Sequence, residues 1–291
     1  MTKFSALVVA ALGCTAFSGA ASAWTITQGF DDRTTGGSCG WDAAGGSTAS
    51  TAVVASGTKS CQLSVTQGDT AYGMWGGIIN HPENVKRGQE LWFRLRTFMP
   101  AGFNYNSIGE GNRLKFLRVH TRTASTENNG YNDIYISPKG VNPVYQFIYE
   151  GEQVWDPIGT VTGVLTGVLA GGNTHAIALG QWETYEYYIK FDTVSVDKGG
   201  MSRVRFWKNG SLMADMTDRI TLRSTDAYSD RTHIFTYWNG GSPATQKMYV
   251  DDVVLTTDTP SGRDAKGNPF VGVGQYTQAV LPNPPASVVV Q

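Results

Sequence analysis

From Lys59 to Leu255 the chain repeats one pattern: short runs in which apolar and polar side chains alternate, separated by turn-forming residues. A period of two puts successive residues on opposite faces of an extended strand. Such runs predict strands over Lys59–Thr66, Glu90–Phe98, Leu114–His120, Asp133–Ser137, Val144–Tyr149, Trp182–Phe191, Ser202–Lys208, His233–Trp238 and Met248–Leu255. Pro100-Ala101-Gly102, Asn128-Asn129-Gly130, Lys198-Gly199-Gly200 and Asn209-Gly210 supply turns between them. No long segment carries the apolar period of a helix. The expectation is an all-β chain, with the strands gathered into one large two-sheet sandwich of roughly 230 residues.

Composition agrees with this reading and divides the ends from the middle. The chain has 35 Gly, 13 Tyr and 8 Trp, a turn-rich and aromatic mixture. At the start, Lys3, the apolar run Phe4–Gly13 and the small residues Ala21-Ser22-Ala23 have the form of a signal peptide over residues 1–23. Cys14 lacks the flanking residues of a lipoprotein site. Residues 24–258 are read as the sandwich. Residues 259–291, punctuated by Pro260, Pro282, Pro284 and Pro285, are read as a C-terminal extension, partly docked. The Gly-interrupted apolar segment Val161–Gly172 is expected to be a loop over the sandwich and not a membrane span. A secreted or periplasmic monomer follows.

Removing residues 1–23 takes away Lys3 and no acid, so the formal charge of −1 becomes −2. That balance argues against a general nucleic-acid binder. Cys39 and Cys61 remain, in a compartment where disulfides persist, and a bridge between them would contribute about 3 kcal/mol. Gly36-Gly37-Ser38-Cys39-Gly40 matches the nucleophile-elbow pattern but lacks the strand before and helix after it that the motif needs. Asn209-Gly210-Ser211 is a glycosylation sequon that a hairpin turn already explains.

Several strands carry chemistry on their polar face. In Glu90–Phe98, Leu91, Phe93 and Leu95 oppose Trp92, Arg94, Arg96 and Phe98. In Trp182–Phe191, Tyr185, Tyr187, Ile189 and Phe191 oppose Thr184, Glu186, Tyr188 and Lys190. In the next, Arg203, Arg205 and Trp207 oppose Val204 and Phe206. His233, Phe235, Tyr237 and Asn239 share a face, and so do Phe116, Arg118 and His120, with Lys115, Leu117 and Val119 opposite. A face that was merely solvated would favour Lys, Glu, Ser and Thr. Aromatic rings interleaved with arginines suit a sugar chain, since rings stack on pyranose faces and guanidinium forks bind carboxylates.

Taken together, GQELWFRLRTFMPAGFN, NRLKFLRVH, GQWETYEYYIKFD, VRFWKNG and YVDDVVL resemble the concanavalin A-like jelly-roll polysaccharide lyases of bacteria, including heparin-lyase-I-like and alginate-lyase-like members, over roughly Phe30 to Leu255. The resemblance implies an anionic, uronate-containing polysaccharide as partner and cleavage by β-elimination, with no cofactor required. It implies Arg118 as carboxylate stabiliser, His120 as base or neutraliser, and Tyr188 and Tyr237 as proton donors. Arg94, Arg96, Arg205, Trp207 and Asn239 would position substrate. Asp31, in GFDD, and Asp252, in YVDDV, would fall on neighbouring first and last strands and could hold a structural Ca²⁺.

Two alternatives stay open on the same fold. A non-catalytic lectin-like protein would use the groove without a productive acid and base. A glycoside hydrolase would need two close carboxylates on one face, which adjacent Asp251 and Asp252 do not provide.

Overall fold

The computed structural model describes residues 23–41, 46–70, 76–106, 108, 113–139, 142–150, 177–194, 198–200, 202–217 and 219–274, without the side chains of 137–139 and 142–150. The expected signal peptide, the segment Val161–Gly172 expected to be a loop, and the chain beyond 274 lie outside these residues. Among the described residues thirteen strands run in chain order: β1 Thr25–Gln28, β2 Ser47–Ser50, β3 Ser60–Val65, β4 Gly77–Val85, β5 Glu90–Phe98, β6 Leu114–Arg122, β7 Tyr131–Lys139, β8 Asn142–Glu150, β9 Trp182–Lys190, β10 Arg203–Lys208, β11 Ser211–Met216, β12 Tyr228–Ile234 and β13 Gln246–Thr256. They form two antiparallel sheets, one ordered β11-β10-β9-β5-β13-β3-β2 with β1 also on β13, the other β4-β12-β6-β7-β8.

The core is what the alternation predicts. Leu91, Phe93 and Leu95 of β5, Tyr185, Tyr187 and Ile189 of β9, and Val204 and Phe206 of β10 meet Leu117 and Val119 of β6 and Ile134 and Ile136 of β7 between the sheets. At β10–β11, Asn209 and Gly210 take φ of 49° and 79°, the left-handed pair of a two-residue hairpin. Asn209 is fixed there because its side-chain oxygen accepts the Thr184 N–H at 2.8 Å. Cys39 and Cys61 are bridged, with both residues buried.

Four strands escaped the pattern. β1 and β2 have four residues each, too few to show a period. β4 contains Asn80, His81, Pro82 and Glu83, a composition unusual for a strand, and it is tolerated because β4 lies at the sheet edge, where Pro leaves no ladder bond unmade. β11 follows its hairpin too closely to be separated by sequence from β10.

The expected strand over His233–Trp238 is corrected. β12 begins at Tyr228 and ends at Ile234, and Phe235 has φ 43°, a left-handed conformation that a bulky residue rarely adopts. Phe235 therefore turns into the core against Phe116, ring centroids 4.7 Å apart, and does not share a face with His233. The neighbouring chain must pass close to this kink: a Cβ on Gly76 would lie 1.4 Å from the Phe235 carbonyl oxygen, so only glycine fits there.

Candidate functional site

The outer face of the five-stranded sheet gathers the site, and β-bulges decide which side chains reach it. In β6 the pairing with β7 shifts between Lys115 and Leu117. Phe116 and Leu117 both enter the core as a result, together with Val119. The simple alternation, which put Phe116 with Arg118 and His120 and Lys115 on the opposite side, is corrected at this point: Lys115 joins Arg118 and His120 on the outer face. A bulge re-aims a side chain without breaking the sheet.

Lys115 meets Tyr237 there. The amine donates to the Tyr237 hydroxyl at 2.5 Å and lies 4.4 Å from that ring's centroid and 5.7 Å from the ring of Tyr135 on β7. Backbone bonds hold the two chains in register, Lys115 N–H to the Tyr237 carbonyl at 3.0 Å and Thr236 N–H to the Lys115 carbonyl at 3.2 Å. Lys115 is buried and Tyr237 half-buried. Asn239 follows two residues on, its N–H bonded to the Arg113 carbonyl.

Further along β6, Arg118 and His120 face the same way. Arg118 is buried, donates through Nε to Asp133 at 3.0 Å and lies 3.7 Å over the Tyr131 ring. His120 bonds through Nδ1 to Asp230 at 2.6 Å and packs at 4.9 Å from Tyr131 and 5.9 Å from His233, the two imidazoles nearly parallel. Burial first, then the neighbouring charges of Arg118, His120 and Arg231, push His233 well below its ordinary range, so its ring stays neutral. Against the cost of burial, hydrogen bonds from His120 and Arg231 hold Asp230 well below the usual carboxylate range.

The remaining sequence candidates lie elsewhere. Arg94 and Arg96 on β5, Tyr188 on β9, and Arg205 and Trp207 on β10 belong to the eight-stranded sheet, on the face turned away from the core. The expectation that they share a groove with Arg118 and His120 is corrected, because alternation identifies a strand's polar face but not which sheet the strand joins. Trp92, Tyr188 and Trp207 form a small cluster under Phe270 and Val271 of the C-terminal extension. Trp207 donates to Asp264 at 2.9 Å, and Arg94 donates to the carbonyls of Gly272, Gly274 and Asp252. Arg205 pairs with Asp215 at 3.2 Å and Arg96 with Asp252 at 3.1 Å.

The acids proposed for calcium are also engaged. One oxygen of Asp31 accepts from the Thr58 and Lys59 N–H groups and the Thr58 hydroxyl. Asp252 accepts from Arg96 and from the Ser56 hydroxyl. Among the described residues no three His, Cys, Asp or Glu side chains come together as a metal cage.

No family model matches the chain, and neither does any curated protein. Solved structures do. The alginate lyase Aly36B superposes with a TM-score of 0.54 at 15% identity, covering 79% of this chain and 96% of that one. The endo-β-1,4-glucuronan lyase from the fungus Trichoderma reesei gives 0.50 at 14% identity, covering 75% and 92%. The fold is the jelly roll of these lyases. At such identities the likeness establishes architecture, and chemistry has to be argued from the side chains.

Residues that sequence reasoning missed are Lys115, Tyr131, Asp133, Tyr135 and Asp230. Tyr131, Asp133 and Tyr135 alternate along β7 and were legible as one face. Lys115 and Asp230 were not, because each sits at a bulge that changes the phase of its strand.

Proposed function

We propose that the protein is an exported polysaccharide lyase that cleaves an anionic, uronate-containing chain by β-elimination on the outer face of the five-stranded sheet. The observation that carries this reading is the Lys115–Tyr237 contact, an amine and a phenol at 2.5 Å beside a second tyrosine, Tyr135. β-Elimination breaks the C5–H and C4–O bonds of a uronate and forms a C4=C5 double bond. It needs one group to take the C5 proton and one to return a proton to the departing oxygen, both within reach of one sugar linkage. Lys115 takes the first role and Tyr237 the second. Similarity to alginate and glucuronan lyases in fold supports the same substrate class.

The pairing of His120 with Tyr237 as base and acid, which the sequence suggested, is less suited to one bond. His120 lies five positions along β6 from Lys115, one of them absorbed by the bulge, a span of roughly 13–16 Å at about 3.3 Å per residue. Arg118 and His120 are accordingly assigned to holding the polymer to one side of the reacting sugar. Purified protein mixed with alginate or polyglucuronate should generate ultraviolet absorbance from the new conjugated double bond. Absence of any rise on a panel of uronate polymers would count against the lyase and favour a binding protein.

A further inference from the structure

The proton-transfer groups of the site all approach from one side. Lys115 and Tyr135 are partners across the β6–β7 ladder, and the amine lies 5.7 Å from the Tyr135 ring on the outer face of the five-stranded sheet. Tyr237 belongs to the chain that follows β12. Two backbone bonds, Lys115 N–H to the Tyr237 carbonyl and Thr236 N–H to the Lys115 carbonyl, fix it beside the same strand. Amine and phenol oxygen are 2.5 Å apart. Two groups that bracketed a sugar from opposite sides, each within hydrogen-bond reach of its own atom, would have to stand roughly 6 Å apart or more.

We infer that the protein eliminates only where the C5 hydrogen and the C4 oxygen lie on the same side of the sugar ring, so that it cleaves at D-mannuronate or D-glucuronate residues and not at L-guluronate. D-Mannuronate and D-glucuronate differ at C2 but share one configuration at C4 and C5, in which that hydrogen and that oxygen are cis. L-Guluronate is the C5 epimer of D-mannuronate. Its C5 hydrogen lies across the ring from the C4 oxygen, and an acid and a base that share one side cannot reach both. The inference rests on the lyase reading and on the Lys115–Tyr237 pair, but it holds whichever of the two takes the proton, because both stand on the same side.

The step balances with the roles assigned above. Lys115 Nζ takes the C5 proton, and the C5–H electron pair becomes the second bond of C4=C5. The C4–O bond breaks with its pair on the oxygen, which takes the Tyr237 hydroxyl proton. An ammonium is left beside a phenolate, and one proton transfer along the same contact restores amine and phenol. A pair that resets itself in this way needs its two members adjacent, which again puts them on one side of the sugar.

The experiment treats the purified protein with polymannuronate, β-1,4-glucuronan, polyguluronate and a strictly alternating mannuronate–guluronate copolymer. Double-bond absorbance gives turnover, and proton NMR of the copolymer products identifies the new reducing ends. Elimination at one residue frees the sugar attached to its C4 oxygen as a reducing end, so cleavage at mannuronate leaves guluronate there. The copolymer presents both linkages in one bound chain, so its ends report the stereochemistry of reaction separately from binding. The expected result is guluronate at the new reducing ends, with kcat on the better of polymannuronate and glucuronan exceeding that on polyguluronate by roughly 10²-fold or more, the worth of one positioned proton-transfer group. Mannuronate at the new reducing ends, or a kcat on polyguluronate within about tenfold of the better D-configured polymer, overturns the inference and leaves the lyase standing. No absorbance on any of the four polymers removes the lyase reading and the inference with it.

Discussion

Tyr237 holds its hydroxyl 2.5 Å from the amine of Lys115, although 122 residues separate them in the chain. The contact depends on two departures from regular strand geometry, the β6 bulge after Lys115 and the left-handed Phe235 that ends β12. Regular strands would have put Lys115 in the core, so the irregularities are what brings amine and phenol together.

Replacing either partner should therefore stop chemistry without unfolding the protein. Lys115→Met keeps the volume of a buried chain and removes the amine, and Tyr237→Phe removes only the hydroxyl. Each is expected to lower kcat by about 10²-fold or more, the usual worth of a positioned proton-transfer group, while the melting temperature stays within a few degrees. Turnover within about threefold of the parent in both variants would remove the pair from the mechanism.

The C-terminal extension offers a test of stability against pH. Glu186 on β9 is buried beneath it and accepts the N–H groups of Val271 at 2.6 Å and Gly272 at 3.0 Å. Burial pushes its carboxyl up to about 7, more than these hydrogen bonds and the nearby Arg94 pull it down. A carboxyl whose pKa is higher folded than unfolded binds protons better when folded. The stability tied to it is full below the ordinary value of 4.5 and is lost as pH rises through about 7. Glu186→Gln cannot carry the charge, so wild type should lose up to ~3 kcal/mol relative to the variant between about pH 4.5 and pH 8. Parallel melting curves for the two proteins across that range would show that the carboxylate is as comfortable charged as neutral.

The disulfide gives a simpler expectation. Cys39 and Cys61 lie 22 residues apart in sequence, and linking them restricts the unfolded chain. Reduction, or Cys39→Ser with Cys61→Ser, should cost about 3 kcal/mol, read as a lower denaturation midpoint in urea. A midpoint unchanged by reductant would mean that the folded chain holds this region equally well without the link.

Much of the fold was legible because its core follows the period of two. Leu91, Phe93 and Leu95, or Tyr185, Tyr187 and Ile189, announce their inward face directly. What alternation does not encode is phase change and sheet membership. Lys115 and Asp230 reach the outer face through bulges, and a bulge is an extra residue with no compositional mark of its own. Trp92, Arg94, Tyr188 and Trp207 have the aromatic and cationic character of a glycan face. The three rings are covered instead by Phe270 and Val271, and Arg94 bonds the carbonyls of Gly272 and Gly274, long-range contacts invisible to local pattern. Arg118 and His120 were found because their strand is regular from Leu117 onward.

Arg118 and Asp133 provide the last expectation, because here a residue read as a substrate contact is also a structural one. Their side chains are 2% and 0% exposed, and the guanidinium Nε donates to the carboxylate at 3.0 Å while Tyr131 covers the guanidinium's face. A charge buried this deeply is tolerated only while its partner is present. Asp133→Ala takes the carboxylate from beside a buried guanidinium and should cost ~3–5 kcal/mol, whereas the double change Arg118→Met with Asp133→Leu should recover most of that loss, since neither charge then needs compensation. If the single and double variants are equally unstable, the pair contributes shape to the sheet and the electrostatic account is wrong. If the double variant is stable but binds alginate weakly, Arg118 is there for the polymer, and the sheet carries Asp133 in order to keep that cation folded inside it.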